Sequence, residues 1–406
     1  MFKQIADTYK RSFSGLGRES WLLSAVILIN RCGNMAVPFM SLYVTQSLKR
    51  PTADAGWIIT LFGVGAVAGS ACGGVFTDKA GFRRVQLFSL LLSGSFFLLF
   101  SIVKDFTLLC VLAVVISFFS DAFRPANFTA VAAYARPGTE TRSYSLNRLA
   151  SNIGWALGAS LGGIISSFNY QLLFVVDGAS SIIAGACIWW LLPSVKAMAE
   201  KAKKAGQVVS EAVLKPWQDK VFVYFLLVTA VFATTFSLLF RVGPLYFKTV
   251  WNMNESVIGV LMGMNGVLIA LFEMVVVSHL EGRRQSRSYI VAGTAVVGMA
   301  YLMLLLPASV AVVALALSVL FFTAGEMLAL PFINSFVITR SNAVNRGQYA
   351  AGYTLCWSFA TVAAPAGGFW LAQHTSFHTL WLTLCILLLL CAFVYRQLFN
   401  KHLSGQ

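Results

Sequence analysis

The sequence predicts an all-α polytopic membrane protein with 12 transmembrane helices in two pseudo-symmetric six-helix bundles. Of its 406 residues, 58% are hydrophobic and only 11% are charged, whereas about 25% are charged in soluble proteins. A transmembrane helix needs roughly 20 apolar residues, so with short turns between helices the chain accommodates about twelve transmembrane helices. The two halves of the chain also resemble each other. This composition excludes a cytosolic enzyme, a disulfide scaffold and a disordered chain.

The predicted spans are the apolar runs bounded by charged or turn residues. The polar, Lys/Ala-rich stretch 193–218 separates six spans from six. We therefore predict an N-terminal six-helix bundle at 1–192, a cytoplasmic inter-bundle loop at 193–218 and a C-terminal six-helix bundle at 219–406. The twelve spans lie near 20–47, 56–77, 85–103, 107–134, 146–167, 171–192, 219–247, 256–279, 288–306, 309–338, 348–373 and 378–395.

Basic residues alternate between the two sides of the predicted membrane. Of the 30 lysines and arginines, 22 lie on the side of the termini and the central loop. By the positive-inside rule both termini are therefore cytoplasmic. The net charge of +15 is mostly this orientation signal, and no nucleic-acid partner is needed to explain it. Short loops and tails favour a plasma membrane, specifically a bacterial inner membrane, and no cleavable signal peptide is evident. The opposite side holds Lys49, Arg50, Lys104 and Lys248.

The two halves align with an offset of about 203 residues. Tyr43 and Tyr246 each precede a glycine by thirteen positions, namely Gly56 and Gly259. Each half has an even number of spans, so both halves start and end on the same side. Such a parallel repeat, related by an axis along the membrane normal, is typical of rocker-type transporters.

The turn between the second and third spans carries a recognisable motif. It resembles the major facilitator superfamily signature Gly-x-x-x-Asp-Arg/Lys-x-Gly-Arg-Lys/Arg, with Phe82 at one usually basic position. Within that superfamily the chain is most similar to twelve-span drug:proton antiporters. Their span-five motif, Gly-x-x-x-Gly-Pro-x-x-Gly-Gly, is matched except that Ala159 replaces the proline. The resemblance implies a monomeric transporter that works by alternating access.

The resemblance also implies two groups of site residues. The second–third turn is expected to act as a conformational gate that closes the cytoplasmic side, although its basic residues also suit simple topology signalling. The glycines of span five serve either static helix packing or a smooth surface on which helices slide. The gate comprises Gly74, Asp78, Lys79, Gly81, Arg83 and Arg84, and the packing glycines are Gly154, Gly158, Gly162 and Gly163.

Charged residues inside the spans are costly and therefore indicate function or pairing. Asp121 and Glu326 lie near the middle of the fourth and tenth spans, and Glu273 lies deep in the eighth. Burial disfavours the charged form of a carboxyl group, which suits proton coupling. The alternative is a fixed ion pair between spans, and Asp121 has Arg124 at i+3 for this purpose. We expect Asp177 to bond to neighbouring backbone.

A polar cavity is predicted near the midplane, because the resemblance implies that spans one, four, seven and ten line it. Arg31 on the first span is either a ligand for an anionic group or a structural partner of one of the acids. The substrate-cavity residues are Asn30, Arg31, Asn34, Arg124 and Arg241.

The predicted function is secondary active transport by alternating access. The first prediction for its direction and coupling is proton-coupled export (antiport) of amphipathic small molecules or drugs. The alternative is proton-coupled uptake (symport) of a polar nutrient such as a peptide or organic anion. A non-transporting membrane sensor ranks third. The expected partners are a small-molecule substrate, protons and the lipid bilayer. No nucleophile–base pair, metal spacing or phosphate loop is present, so we predict neither an enzyme nor a cofactor or metal.

Overall fold

The computed structural model describes residues 7, 10–193, 215–283, 285–342 and 344–403, and within these ranges the chain is helical without any strand. Residues 194–214, which make up most of the predicted inter-bundle loop, lie outside the described residues. Some basic residues of the predicted cytoplasmic side lie there too. They are Lys3, Lys196, Lys201, Lys203, Lys204 and Arg284.

Twelve long helical segments follow one another along the described chain, and the first of them is interrupted. It comprises α1 (Arg18–Gly33), α2 (Ala36–Leu42) and a turn of π-helix (Tyr43–Ser47). The others are α3 (Thr52–Ala80), α4 (Phe82–Ile102), α5 (Phe106–Tyr134), α6 (Glu140–Phe168), α7 (Tyr170–Leu191), α8 (Lys220–Thr249), α9 (Glu255–Leu280), α10 (Ser286–Met303), α11 (Ala311–Arg340), α12 (Arg346–His374) and α13 (Phe377–Leu403). Eleven of the described segments are long and apolar enough to cross a membrane.

The interruption of the first span is the main departure from the predicted boundaries. The sequence predicted one span at 20–47, but helix α1 ends at Gly33 and α2 begins at Ala36. Asp177 of α7 is 2% exposed, and its carboxylate accepts a hydrogen bond from the backbone N–H of Ala36 at 3.3 Å. A buried carboxylate thus satisfies a donor that the break leaves without an intrahelical acceptor. The expected backbone bonding of Asp177 is confirmed.

Several helices begin and end where local chemistry dictates. Asp105 and Asn169 cap α5 and α7 through side-chain oxygens that accept from Leu108 N–H (2.9 Å) and Gln171 N–H (2.8 Å). These residue types are favoured at the N-cap because they satisfy otherwise orphaned donors. Gly81 joins α3 to α4 with a φ of 88°, a backbone conformation that glycine adopts without steric cost.

The chain divides into two compact units. The N-terminal unit comprises Gly15–Lys215 and Ser341–Leu355, and the C-terminal unit comprises Met1–Ser14, Pro216–Arg340 and Cys356–Gln406. The predicted bundles at 1–192 and 219–406 stay a prediction.

Each unit has its own aromatic core. In the N-terminal unit Tyr43 and Phe174 pack edge to face at 4.9 Å, and Phe100 lies 4.7 Å from Phe174. In the C-terminal unit Phe225 lies 4.5 Å from Phe336 and 5.5 Å from Tyr395. Aromatic pairs at these separations contribute beyond their buried area. They join the first, third and sixth helical segments in the N-terminal unit and the seventh, tenth and twelfth in the C-terminal unit.

An ion pair in the C-terminal unit was not predicted from the sequence. Arg340, at the end of α11, donates to both carboxylate oxygens of Asp219 at 2.7 and 2.9 Å. The same carboxylate accepts from Phe222 N–H at 3.1 Å and so caps α8. Asp219 is 6% exposed, so this pair links two helix ends through a largely buried group.

We expect Asp219→Asn to lower the free energy of unfolding by about 2–3 kcal/mol, because it weakens charge-assisted hydrogen bonds between a buried carboxylate and a half-buried arginine. The measurement is the thermal unfolding midpoint of purified protein in detergent. Asp54→Asn is the matched control, since Asp54 pairs with Arg50 at 2.7 Å near the surface, where such a pair contributes about 0–1 kcal/mol. Equal losses in the two variants would contradict the argument.

Candidate functional site

A charged pair lies on α5 in the N-terminal unit. The guanidinium of Arg124 donates to the carboxylate of Asp121 at 3.0 Å, one turn away. The side chains are 15% exposed for Asp121 and 33% for Arg124. The two residues predicted to share one helix face therefore do so, and part of the arginine remains accessible.

Arg31 of α1 belongs to the same charged cluster. Its electrostatic neighbours are Asp121, Arg124 and Asp177. Arg31 is half-buried, and its Nε is buried without a hydrogen-bond partner among the described residues. The structure thus brings together two of the predicted cavity residues and one of the predicted proton-coupling residues.

The two asparagines predicted to line the cavity are placed differently. Asn30 is 8% exposed and donates from Nδ2 to the hydroxyl of Ser181 on α7 at 3.2 Å. Asn34 is half-buried and follows the last residue of α1, where its N–H bonds to the carbonyl of Arg31. Asn30 therefore joins α1 to α7 through a side-chain hydrogen bond. The spacing of residues in the sequence does not reveal this partner.

In the C-terminal unit Glu326 lies on α11 and is 7% exposed. The amide of Asn265 on α9 donates to Glu326 Oε2 at 3.0 Å and to the hydroxyl of Thr323 at 2.9 Å. Sequence reasoning missed Asn265. An amide in the middle of an otherwise apolar span is the signal that would have drawn attention to it.

The other two predicted site residues of this unit, Glu273 and Arg241, differ in how far they are exposed. Glu273 on α9 is fully buried, eight positions beyond Asn265 on the same helix. Arg241 on α8 is exposed. A charge on buried Glu273 would need a partner inside the protein, whereas exposed Arg241 has less need of one.

Asp78, at the end of α3, lies against the first residues of α12. Its carboxylate accepts hydrogen bonds from the backbone N–H groups of Gly347 (2.6 Å) and Gln348 (2.9 Å). The N-terminus of a helix carries partial positive charge and unpaired donors, so it is a favourable place for a carboxylate. Asp78 and Gly347 are 269 positions apart in the sequence, so this contact joins distant parts of the chain.

The other gate residues divide into packing and surface positions. A Cβ on Gly74 would lie 2.5 Å from the carbonyl oxygen of Gly347, so the backbones of α3 and α12 touch there. Arg83 donates to the carbonyl oxygen of Trp189 at 2.7 Å, at the end of α7, which is a favourable end for a cation. Lys79 and Arg84 are exposed.

Three of the four predicted packing glycines of α6 lie against the first span. A Cβ would come within 2.5 Å of Arg31 Cβ at Gly154, 2.9 Å of the carbonyl oxygen of Arg31 at Gly158, and 2.9 Å of Met35 Cβ at Gly162. Gly163 differs, because a Cβ there would meet no described atom within 4 Å. The close approach of α6 to α1 thus depends on three glycines at a spacing of four, Gly154, Gly158 and Gly162.

Gly154→Ala is therefore expected to destabilise the protein by about 1–3 kcal/mol, since its methyl group overpacks a contact made partly by backbone. Gly163→Ala is the matched control and should be neutral or stabilising by up to about 1 kcal/mol, because alanine is the better helix former. Thermal unfolding midpoints of the two purified variants in detergent provide the test. A destabilised Gly163→Ala beside an unaffected Gly154→Ala would refute it.

A second polar feature of the N-terminal unit was also missed. Gln86 on α4 donates to the amide oxygen of Asn127 on α5 at 3.3 Å, and Asn127 donates to that of Asn147 on α6 at 3.1 Å. Asn127 lies one turn beyond Arg124, so α5 presents Asp121, Arg124 and Asn127 at a spacing of three. These amides extend the polar interior from the charged pair toward α4 and α6.

Metal chemistry receives no support in the described part of the chain, where no three His, Cys, Asp or Glu side chains come together as ligands. The seven cysteines are free thiols, either buried or half-buried. The predicted site residues that the structure describes are charged groups, amides and close helix contacts.

Comparison with known proteins agrees with this geometry. The family model of the Major Facilitator Superfamily matches residues 22–365. The chain is 24% identical over 385 residues to YttB of Bacillus subtilis, an uncharacterised transporter of the same family, with 91% of each chain covered. It is 26% identical over 368 residues to the class D tetracycline resistance protein of Salmonella ordonez, which covers 84% of this chain and 87% of that one.

A solved structure shares the fold. The proton:xylose symporter XylE superimposes with a TM-score of 0.73 at 11% identity, over 95% of each chain. The predicted fold class is confirmed by this likeness and by the all-helical described chain. With its apolar helices, its internal charged pair and a family match over most of its length, the chain belongs to the major facilitator superfamily and is a multi-pass membrane transporter rather than an enzyme.

Proposed function

We propose that this transporter exports amphipathic small molecules in exchange for protons. The observation that carries the proposal is the buried carboxyl of Glu326, held at 3.0 Å by the amide of Asn265 in a long apolar helix. An amide donor serves the neutral and the charged form of a carboxyl group alike. The hydrogen bond from Asn265 is therefore compatible with either form of the Glu326 carboxyl group.

The transport cycle alternates access between the two sides of the membrane. Two six-helix bundles, 1–192 and 219–406, rock about a midplane cavity, as parallel repeats do in this class of transporter. Asp78 acts as the conformational gate by making and releasing its bonds to the N-terminus of α12. Both termini face the cytoplasm of a bacterial inner membrane, and the chain works as a monomer.

The proton gradient is an adequate energy source for this function. One proton supplies about 2.3 kcal/mol per 100 mV of membrane potential and about 1.36 kcal/mol per pH unit. A tenfold concentration gradient costs about 1.4 kcal/mol, so one proton driven by 100 mV and one pH unit supports a gradient of roughly a few hundredfold. The relative named for tetracycline resistance supports a drug-like substrate.

Proton flux in proteoliposomes tests the proposal. Purified protein is reconstituted around a trapped pH-sensitive dye, and lipophilic cations, neutral amphiphiles, peptides and organic anions are added in turn. Antiport predicts that a substrate drives protons in the direction opposite to its own movement. Protons that move together with a peptide or organic anion would replace antiport by the symport alternative, and an absence of substrate-driven flux across the whole panel would refute proton coupling.

A further inference from the structure

Arg31 is the least satisfied charge that the structure records in the interior of the N-terminal unit. Among the described residues its side chain makes no hydrogen bond and no ion pair, and its Nε is buried without a partner. An arginine carries five donors and stays charged under all physiological conditions. A charge of this kind inside a membrane protein ordinarily marks a partner or a ligand.

The acids near Arg31 are already engaged. The carboxylate of Asp121 accepts from Arg124 at 3.0 Å, and the carboxylate of Asp177 accepts from the N–H of Ala36 at 3.3 Å. Both acids attract Arg31 electrostatically, whereas Arg124 repels it. Neither carboxylate accepts a hydrogen bond from Arg31 among the described contacts, so the attraction leaves the guanidinium donors available.

The position of Arg31 is fixed by packing. Gly154 and Gly158 of α6 bring the backbone of that helix against Arg31, since a Cβ on either glycine would lie within 3.0 Å of Arg31 atoms. The carbonyl of Arg31 accepts from the N–H of Asn34 where α1 ends. Packing thus holds the backbone and Cβ of Arg31 against α6, and the guanidinium extends from this fixed base.

We propose that Arg31, with the partly accessible Arg124 beside it, binds a carboxylate group of the transported substrate. A guanidinium binds a carboxylate through two parallel hydrogen bonds, which gives both strength and orientation. The substrate class is thus an amphipathic organic anion. This inference rests on the proposed transport function, and it names the charge of the substrate rather than the direction of movement.

Ligand binding in the absence of any proton gradient tests the inference. The probes are benzoate, 1-naphthoate and biphenyl-4-carboxylate, each compared with its own primary amide, which has nearly the same shape without the charge. We expect the carboxylates to raise the thermal unfolding midpoint of the purified protein in detergent and the amides to leave it unchanged. If no carboxylate stabilises the wild-type protein more than its amide, the inference is overturned, whatever any variant does.

Variants then locate the site. Arg31→Gln is expected to weaken carboxylate binding about tenfold to a hundredfold, and Arg31→Lys should weaken it less, because lysine keeps the charge but not the paired donors. Arg50→Gln is the control, since Arg50 pairs with Asp54 away from the cluster. Unchanged binding in Arg31→Gln would overturn the inference.

The outcome is separable from that of the proposed function. Carboxylate binding without any substrate-driven proton flux would refute proton coupling and leave the anion site standing. Proton flux driven only by cations or neutral amphiphiles, with no carboxylate binding, would refute the anion site and leave proton coupling standing.

Discussion

Glu326→Gln is expected to abolish substrate-driven proton flux, reducing it to the level of protein-free liposomes, while the protein remains folded. In the structure Asn265 Nδ2 donates to Glu326 Oε2 at 3.0 Å. Glutamine keeps a carbonyl oxygen that can accept this hydrogen bond. The packing of α11 against α9 is thereby preserved. Glutamine does not titrate, so the step in which the side chain carries a proton is lost.

The assay is the pH-dye experiment in proteoliposomes with a substrate that drives flux through the wild-type protein. Glu19→Gln is the matched control, since Glu19 lies in the first turn of α1, at the membrane surface by the predicted topology. Flux at the wild-type level in Glu326→Gln would refute the role of Glu326. If Asp121→Asn abolished the flux and Glu326→Gln did not, the proton carrier would be Asp121.

Asp78→Asn is expected to loosen the start of α12 and to slow transport. Asp78 accepts from Gly347 N–H at 2.6 Å and from Gln348 N–H at 2.9 Å, and hydrogen bonds to a charged acceptor contribute about 1.5–3 kcal/mol. Asparagine lacks the charge and has one carbonyl oxygen for the two donors. Asp78→Ala removes both acceptor oxygens and should have the larger effect.

Hydrogen–deuterium exchange measures this effect where it arises. The amides of Gly347 and Gln348 should exchange about tenfold to a hundredfold faster in Asp78→Ala than in the wild-type protein. Asp105→Asn is the control, because Asp105 caps α5 in the same manner through Leu108 N–H at 2.9 Å and asparagine is an equally good N-cap. Unchanged exchange at both amides would show that Asp78 does not hold α12.

The substrate-cavity prediction illustrates where sequence reasoning succeeds and where it stops. The contact between Asp121 and Arg124 was predictable, because residues three apart on a helix lie on one face. The contact between Asn30 and Ser181 spans 151 residues, and nothing in the local spacing selects that partner. The sequence predicts that Asn30 lines the cavity, and the packing adds a hydrogen bond to a second helix that the sequence does not indicate.

The C-terminal unit gives the same contrast. Glu326 stands out in the sequence as an acid within an apolar run, and the length of that run predicts that the residue lies within the membrane. Asn265 became its partner only through the packing of α9 against α11. The pair formed by Asp219 and Arg340 across 121 residues was likewise hidden, because Arg340 reads as one more basic residue in a cytoplasmic turn.

The sequence by itself determined the membrane-spanning, all-helical fold, since the length and hydropathy of each segment decide whether its backbone groups must be satisfied within a helix. It also determined which charged residues enter the membrane. The tertiary structure alone decided which of those charges have partners, because hydrogen bonds act over about 3 Å and depend on how distant helices pack. It broke the first span at Asn34, placed Asp78 on α12 and left Arg31 with donors available to a ligand.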